Sequence, residues 1–117
     1  MNTPINQPRK EIMDTPNASF YGLGIAPKII ETLNRLKFKI PTPIQYKAIP
    51  QAIEGQDIIG VAQTGTGKPM AFGIPLVQHL AQNNKRGLIL VPTRELALQV
   101  EESLVKIAQA FRSESVV

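Results

Sequence analysis

The segment Ala62-Gln63-Thr64-Gly65-Thr66-Gly67-Lys68-Pro69 combines the residue types that bind phosphate. It follows an apolar, strand-like run at 57–61 and precedes a helix-like run from about Lys68 to Gln82. Glycines let the backbone approach an anion closely, and successive backbone N–H groups at a helix N-terminus then bind its charge. Lys68 adds a positive charge for the outer phosphates of a nucleotide. We therefore predict a P-loop with Lys68 as the catalytic lysine.

The loop departs from the usual P-loop pattern at its last position, where Pro69 replaces threonine or serine. The hydroxyl of that residue normally binds Mg²⁺. Pro69 has neither a hydroxyl nor a backbone N–H, although its ring is tolerated in the first turn of a helix. We therefore expect a nucleotide pocket with a weakened Mg²⁺ site and impaired Mg²⁺-dependent hydrolysis. For the loop taken alone, a glycine turn without a ligand is the alternative.

The composition limits the classes to which the protein can belong. The 117 residues suffice for one small domain, and 43% hydrophobic content indicates a globular chain. No apolar run approaches the ~20 residues of a membrane span, so no membrane partner is expected. The chain has no cysteine, which excludes disulfides and fits a cytoplasmic location. A net charge of +4 permits a polyanionic partner such as RNA without requiring one.

The pattern along the chain predicts three regions: a flexible leader at 1–17, a helical region at 18–56 and a P-loop core at 57–117. The helical region contains an amphipathic helix at 25–36, whose apolar face is formed by Ile25, Ile29, Ile30, Leu33 and Leu36. An extended connector and a short helix at 44–49 follow, and we expect Pro50 to interrupt that helix.

The P-loop core alternates between strand and helix patterns. The runs at 57–61 and 87–91 predict buried strands, and the run at 94–111 predicts a long helix. The inner stripe of that helix comprises Leu96, Val100, Leu104, Ile107 and Phe111. This order predicts an α/β fold with an open parallel sheet. Residues 115–117 would begin a third strand.

Three motifs in order resemble those of DEAD-box ATP-dependent RNA helicases. Residues 37–45 resemble the family's Q motif, residues 62–69 its motif I and residues 92–97 its motif Ia. The resemblance covers about residues 18–117. It implies the N-terminal part of the first RecA-like domain, with ATP and Mg²⁺ as cofactors, and a parent that unwinds RNA duplexes.

The resemblance assigns adenine recognition to Gln45 and Phe20. A glutamine amide carries a donor and an acceptor side by side, which pair with the N6–H donor and N7 acceptor of adenine. Guanine offers two acceptors at the corresponding edge, so the acceptor of the amide would face another acceptor. Phe20 lies at the position of the family aromatic that stacks on the base. A core-packing aromatic is the alternative for Phe20.

The resemblance also assigns contacts with the RNA sugar-phosphate backbone to Pro92, Thr93 and Arg94. Ligands bind at the carboxyl edge of open α/β sheets, and the forked donors of Arg94 suit phosphate. As an alternative that can hold at the same time, Thr93 caps the helix that follows and Glu95 lies favourably near its positive end.

The Asp-Glu-Ala-Asp box that names the family does not occur in this sequence. We therefore expect the downstream part of the helicase core to be missing, and whether the chain itself hydrolyses ATP is left open. In the family, the strand beside the P-loop strand comes from later in the sequence, so unpaired apolar edges are expected here. A nucleotide- or RNA-binding module without catalysis, and a different P-loop NTPase, are the alternatives.

Overall fold

The computed structural model of the chain describes residues 18–63, 65 and 67–114, with side chains through Phe111. These residues contain four α-helices, α1 (Pro27–Arg35), α2 (Pro43–Ile53), α3 (Lys68–Asn83) and α4 (Arg94–Ala108), and a 3₁₀ helix at Gln109–Glu114. The predicted leader, the predicted strand start at 115–117, Thr64 and Thr66 lie outside the described residues. None of the described helices has the length and apolar character needed to cross a membrane.

Helix α1 confirms the predicted amphipathic face. Ile25, Ile29 and Leu33 are buried, and Ile30 and Leu36 are half-buried. Pro27 occupies the first turn, where its missing N–H has no intrahelical partner to lose. The apolar spacing thus places one side of α1 against the core.

Helix α2 is longer than predicted, because it continues through Pro50 to Ile53. Pro43 in the first turn and a capping box at its start fix the beginning of the helix. Pro50 removes one backbone donor near the C-terminal end, but Ile49 is fully buried and holds this stretch against the core. The prediction that Pro50 ends the helix was therefore wrong, since tertiary packing overrides the local signal.

Helices α3 and α4 pack closely together and confirm the two longer predicted helices. A Cβ placed on Gly73 of α3 would lie 3.0 Å from Cδ2 of Leu104 and 3.3 Å from Cδ1 of Ile107, both on α4. The glycine therefore sets how closely the two helices approach. The predicted helix at 94–111 ends at Ala108, and Phe111 of its predicted stripe lies in the 3₁₀ helix that follows. On that stripe the side chains at 100, 107 and 111 are buried and those at 96 and 104 are half-buried.

The predicted parallel sheet is absent from the described part of the chain. Residues 57–61 and 87–91 form neither helix nor strand there. Four of their apolar side chains face solvent: Ile59 is 95% exposed, Val61 89%, Leu88 83% and Leu90 84%. Ile89 and Val91 are half-buried. A strand exists only through hydrogen bonds with a neighbouring strand, and these two segments do not pair with each other. The strand prediction is therefore corrected to two unpaired apolar segments.

Candidate nucleotide-binding site

The backbone of the predicted P-loop adopts conformations that only glycine takes readily. Gly65 has a φ of 81° and Gly67 a φ of 83°, both in the left-handed region. Gly67 is the N-cap of α3, so Lys68 and Pro69 form its first turn. The first N–H groups of a helix have no intrahelical acceptor, and they point with the positive end of the helix dipole towards a ligand. The described part of the loop therefore suits an anion.

Gln45 is buried, with 4% of its surface exposed, and both ends of its side-chain amide bond to the backbone. Its Oε1 accepts from the backbone N–H of Thr42 at 2.9 Å, and its Nε2 donates to the carbonyl of Gly67 at 3.1 Å. A glutamine amide has two donor hydrogens and two acceptor lone pairs. These two bonds leave one donor hydrogen and one acceptor lone pair of the amide unused, although Gln45 does not line the cavities beside the loop.

The contact between Gln45 and the loop leaves no room for a side chain at position 67. A Cβ placed on Gly67 would overlap Nε2 of Gln45 and would lie 3.2 Å from Cγ2 of Thr42. Thr42 also accepts from the backbone N–H of Gln45 at 3.4 Å, which completes the capping box of α2. The sequence interpretation missed Thr42, although the threonine at 42 followed by glutamine at 45 is the spacing of a capping box.

An open cavity of about 700 Å³ lies between the loop and the segment at 88–92. The loop contributes Gly65, Gly67, Lys68 and Pro69, and α4 contributes Leu96, Gln99 and Val100. Among the described residues that line this cavity, Lys68 carries the only charge. Lys68 also borders a second cavity of about 310 Å³ against α2. The predicted catalytic lysine therefore lies where it can attract an anion.

The residues at this site do not fit a resident Mg²⁺ ion. Pro69 lies in the first turn of α3, where the usual residue offers a hydroxyl oxygen, and its ring has no donor atom. No group of three histidine, cysteine, aspartate or glutamate side chains within the described part of the chain could hold a metal ion. The cradle formed by the glycines, Lys68 and the start of α3 does fit a nucleotide phosphate.

The other predicted nucleotide contacts lie in different surroundings. Ala62 is half-buried and Gln63 is exposed, at the end of the first unpaired segment. Phe20 is 4% exposed and belongs to the hydrophobic core, and it does not line the 700 Å³ cavity. The core-packing alternative therefore describes the surroundings of Phe20, and its stacking on adenine stays a prediction.

The predicted RNA contacts lie at the start of α4. Thr93 is the N-cap residue, and its Oγ1 accepts from the backbone N–H of Leu96 at 3.1 Å. Glu95 lies in the first turn and Arg94 is exposed. Pro92 lines the same cavity as the loop. The capping interpretation is confirmed, while the contact of these residues with RNA stays a prediction.

Comparison with known proteins gives the family. The sequence profile of the DEAD/DEAH box helicase family matches residues 42–117. The ATP-dependent RNA helicase CshA from Listeria monocytogenes is 50% identical over 91 residues, which are 76% of this chain and 18% of that protein. The chain thus spans about a fifth of the length of this relative.

Two solved structures are similar in fold. The RNA helicase Prp28 from Chaetomium thermophilum bound to ADP gives a TM-score of 0.72 at 39% identity, over 80% of this chain and 24% of that one. A Dbp5 variant from S. cerevisiae bound to RNA and ADP BeF3 gives a TM-score of 0.71 at 30% identity, over 79% and 25%. Such neighbours are RecA-like domains. The chain therefore belongs to the DEAD/DEAH box helicase family, as the N-terminal part of the first RecA-like domain of a DEAD-box RNA helicase.

Proposed function

We propose that this chain is the part of an ATP-dependent RNA helicase that binds the adenine nucleotide and the RNA backbone. Gln45 recognises adenine, the loop at 62–69 holds the phosphates with Lys68, and residues 92–94 contact RNA. The complete helicase unwinds RNA duplexes and couples this to ATP hydrolysis.

The hydrogen bond between Gln45 and Gly67 carries this proposal. It joins residues that are 22 positions apart, and it places the amide that would recognise a base directly against the loop that would hold phosphates. The remaining donor and acceptor of the amide match the N6–H and N7 of adenine. The capping box of α2 accounts for the bond from Thr42 to Gln45, but it does not require the second bond from the amide to the loop.

The similar structures support both ligands. One is bound to ADP, and another is bound to RNA and ADP BeF3. Arg94 is exposed at the first turn of α4, where a guanidinium and the helix N-terminus both favour phosphate. Contacts of this kind give affinity for the RNA backbone without sequence specificity.

The experiment that tests adenine recognition is calorimetric titration of the chain with ADP and with GDP. We expect ADP to bind more tightly by about 1–3 kcal/mol, the discrimination of a good bidentate pair. Gln45→Glu keeps the acceptor for Thr42 but removes the amide donor, so it should abolish the preference. Lys68→Ala should weaken both nucleotides, and Lys47→Ala, an exposed lysine on α2, is the control. Equal affinity for ADP and GDP would favour a different P-loop NTPase.

The RNA contact is tested by single-stranded RNA binding over a range of salt concentrations. Arg94→Ala should weaken binding similarly for all sequences and should reduce the salt slope by about one. Arg35→Ala, an exposed arginine at the end of α1, is the matched control. An unchanged slope in Arg94→Ala would contradict the assignment.

A further inference from the structure

The chemistry of position 69 determines which form of the nucleotide this site accepts. We infer that the site binds adenine nucleotide in its metal-free form, so that Mg²⁺ does not strengthen binding. This inference rests on the proposed function and specifies its ligand. It follows from one residue, Pro69, and from the charges around the cavity.

Pro69 removes the oxygen that would connect a metal ion to the protein. It lies in the first turn of α3, and its ring lines the 700 Å³ cavity. No carboxylate is among the described residues that line this cavity. Mg²⁺ prefers oxygen ligands and requires near-ideal octahedral geometry, and an apolar ring supplies neither. A metal ion on the nucleotide would therefore gain no ligand at position 69.

The charges around the site also favour the metal-free nucleotide. The negative charge of the phosphates is met by Lys68 and by the positive N-terminal end of α3. A Mg²⁺ ion on the nucleotide neutralises part of that charge and so weakens its attraction to Lys68. In a loop that ends in threonine, the new hydroxyl–metal bond offsets this loss. Pro69 supplies no such bond at position 69.

Pro69 also removes a backbone donor, and this second effect can be separated from the first. The N–H of the second helical residue has no intrahelical acceptor and is available to a phosphate oxygen. Valine at this position restores the N–H without a hydroxyl, and threonine restores both. The two side chains have nearly the same shape, so they form a matched pair.

The test is calorimetric titration of ADP into the chain, Pro69→Val and Pro69→Thr, each in EDTA and in excess Mg²⁺. For the chain and for Pro69→Val, the Kd in Mg²⁺ should equal or exceed the Kd in EDTA. For Pro69→Thr, Mg²⁺ should tighten binding about tenfold. In EDTA, both variants should bind about threefold to tenfold more tightly than the chain, because one hydrogen bond is restored. Far-UV circular dichroism checks that all three proteins are equally helical.

Several outcomes would overturn the inference. Tightening of the unmodified chain by Mg²⁺ to the extent seen in Pro69→Thr would place the metal ligand elsewhere. Failure of Mg²⁺ to tighten Pro69→Thr would show that position 69 does not control the metal. Absence of ADP binding in all proteins and both buffers would overturn the proposed function together with this inference, whereas the first two outcomes leave the proposed function intact.

Discussion

Two isoleucines show how differently the helices and the segment at 57–61 bury their apolar side chains. Ile74 in α3 is fully buried, whereas Ile59 in the first predicted strand is 95% exposed. Both lie in sequence patterns typical of buried elements. The helix forms its backbone hydrogen bonds within its own segment, but a strand obtains them only from a neighbour. An apolar helix can therefore pack against any available core, whereas an apolar segment forms a strand only when a neighbouring strand is present.

The same contrast holds for polar groups. Gln45 in α2 and Gln78 in α3 are buried amides, and each bonds to backbone at both of its ends. Within the described part of the chain, no buried side-chain nitrogen or oxygen lacks a hydrogen-bond partner. The buried polar side chains of the helices therefore have hydrogen-bond partners. The groups that lack partners in packing are the exposed apolar side chains of the segments at 57–61 and 87–91.

The largest expected effect comes from truncating the two isoleucines in turn. Ile74→Ala should lower the free energy of unfolding by about 2–5 kcal/mol, because it leaves a cavity in the core. Ile59→Ala should change it by less than about 0.5 kcal/mol, because the side chain already faces solvent. Guanidinium denaturation followed by circular dichroism measures both.

A result that breaks this comparison would be informative about the exposed segment. If Ile59→Ala destabilises the chain as much as Ile74→Ala does, residues 57–61 are packed in solution. Sedimentation at two protein concentrations would then show whether a second copy of the chain covers them.

The second prediction concerns Gln78, which joins α3 to the segment that contains Phe20. Its Oε1 accepts from the N–H of Ala26 at 2.8 Å, and its Nε2 donates to the carbonyl of Gly24 at 3.0 Å. Gln78→Ala leaves two backbone groups without partners, and because both bonds are only partly buried, each should cost about 1–2 kcal/mol, so we expect a loss of about 2–4 kcal/mol. Thermal denaturation measures it.

Gln82→Ala is the matched control, because Gln82 lies one turn further along α3 and is exposed. We expect it to leave stability within about 0.5 kcal/mol of the parent chain. Similar losses in both variants would mean that the effect does not arise from the two backbone bonds of Gln78.

Local signals predicted much of this fold, and their failures have physical causes. The face of α1 and the stripe of α4 follow from periodicity, which is a property of the segment itself. The end of α2 was mispredicted because Pro50 is a local signal that the burial of Ile49 overrides. The strand pattern identified apolar segments correctly, but a pattern along one segment contains no information about its partner.

In the candidate site, too, some features follow from local sequence and others depend on the tertiary fold. The glycines, Lys68 and the capping role of Thr93 follow from motifs in short segments. The hydrogen bond from Gln45 to Gly67 could not be predicted from spacing, since it joins two elements 22 residues apart through the tertiary fold. The burial of Phe20 likewise depends on residues from several helices.

The third prediction uses two glycines with nearly the same φ angle. Gly65 and Gly67 both have left-handed φ values, but a Cβ meets nothing within 4 Å at Gly65 and overlaps Gln45 at Gly67. Both alanine variants carry the backbone strain of about 1–2 kcal/mol. Gly67→Ala should lose about 1–3 kcal/mol more, because it displaces the buried amide.

Nucleotide selectivity distinguishes the two glycine variants further. Gly67→Ala should lose the preference for ADP over GDP, whereas Gly65→Ala should retain it even where overall affinity falls. Retained selectivity in Gly67→Ala would show that Gln45 recognises adenine independently of the loop. The role proposed for the hydrogen bond between Gln45 and Gly67 would then be wrong.

The smallest expected effect is a gain in stability at the end of α1. The N–H of Phe38 donates to the carbonyl of Leu33 and the N–H of Lys37 to that of Asn34, which together form a Schellman motif. Lys37 takes the left-handed position of this motif with a φ of 69°, where glycine is favoured. Lys37→Gly should therefore raise the free energy of unfolding by about 0.5–1 kcal/mol, the relief of strain less the added entropy of the unfolded chain. Lys39→Gly has no such strain to relieve and should lower stability slightly, so opposite signs in the two variants would place the gain in the backbone rather than in the lost charge.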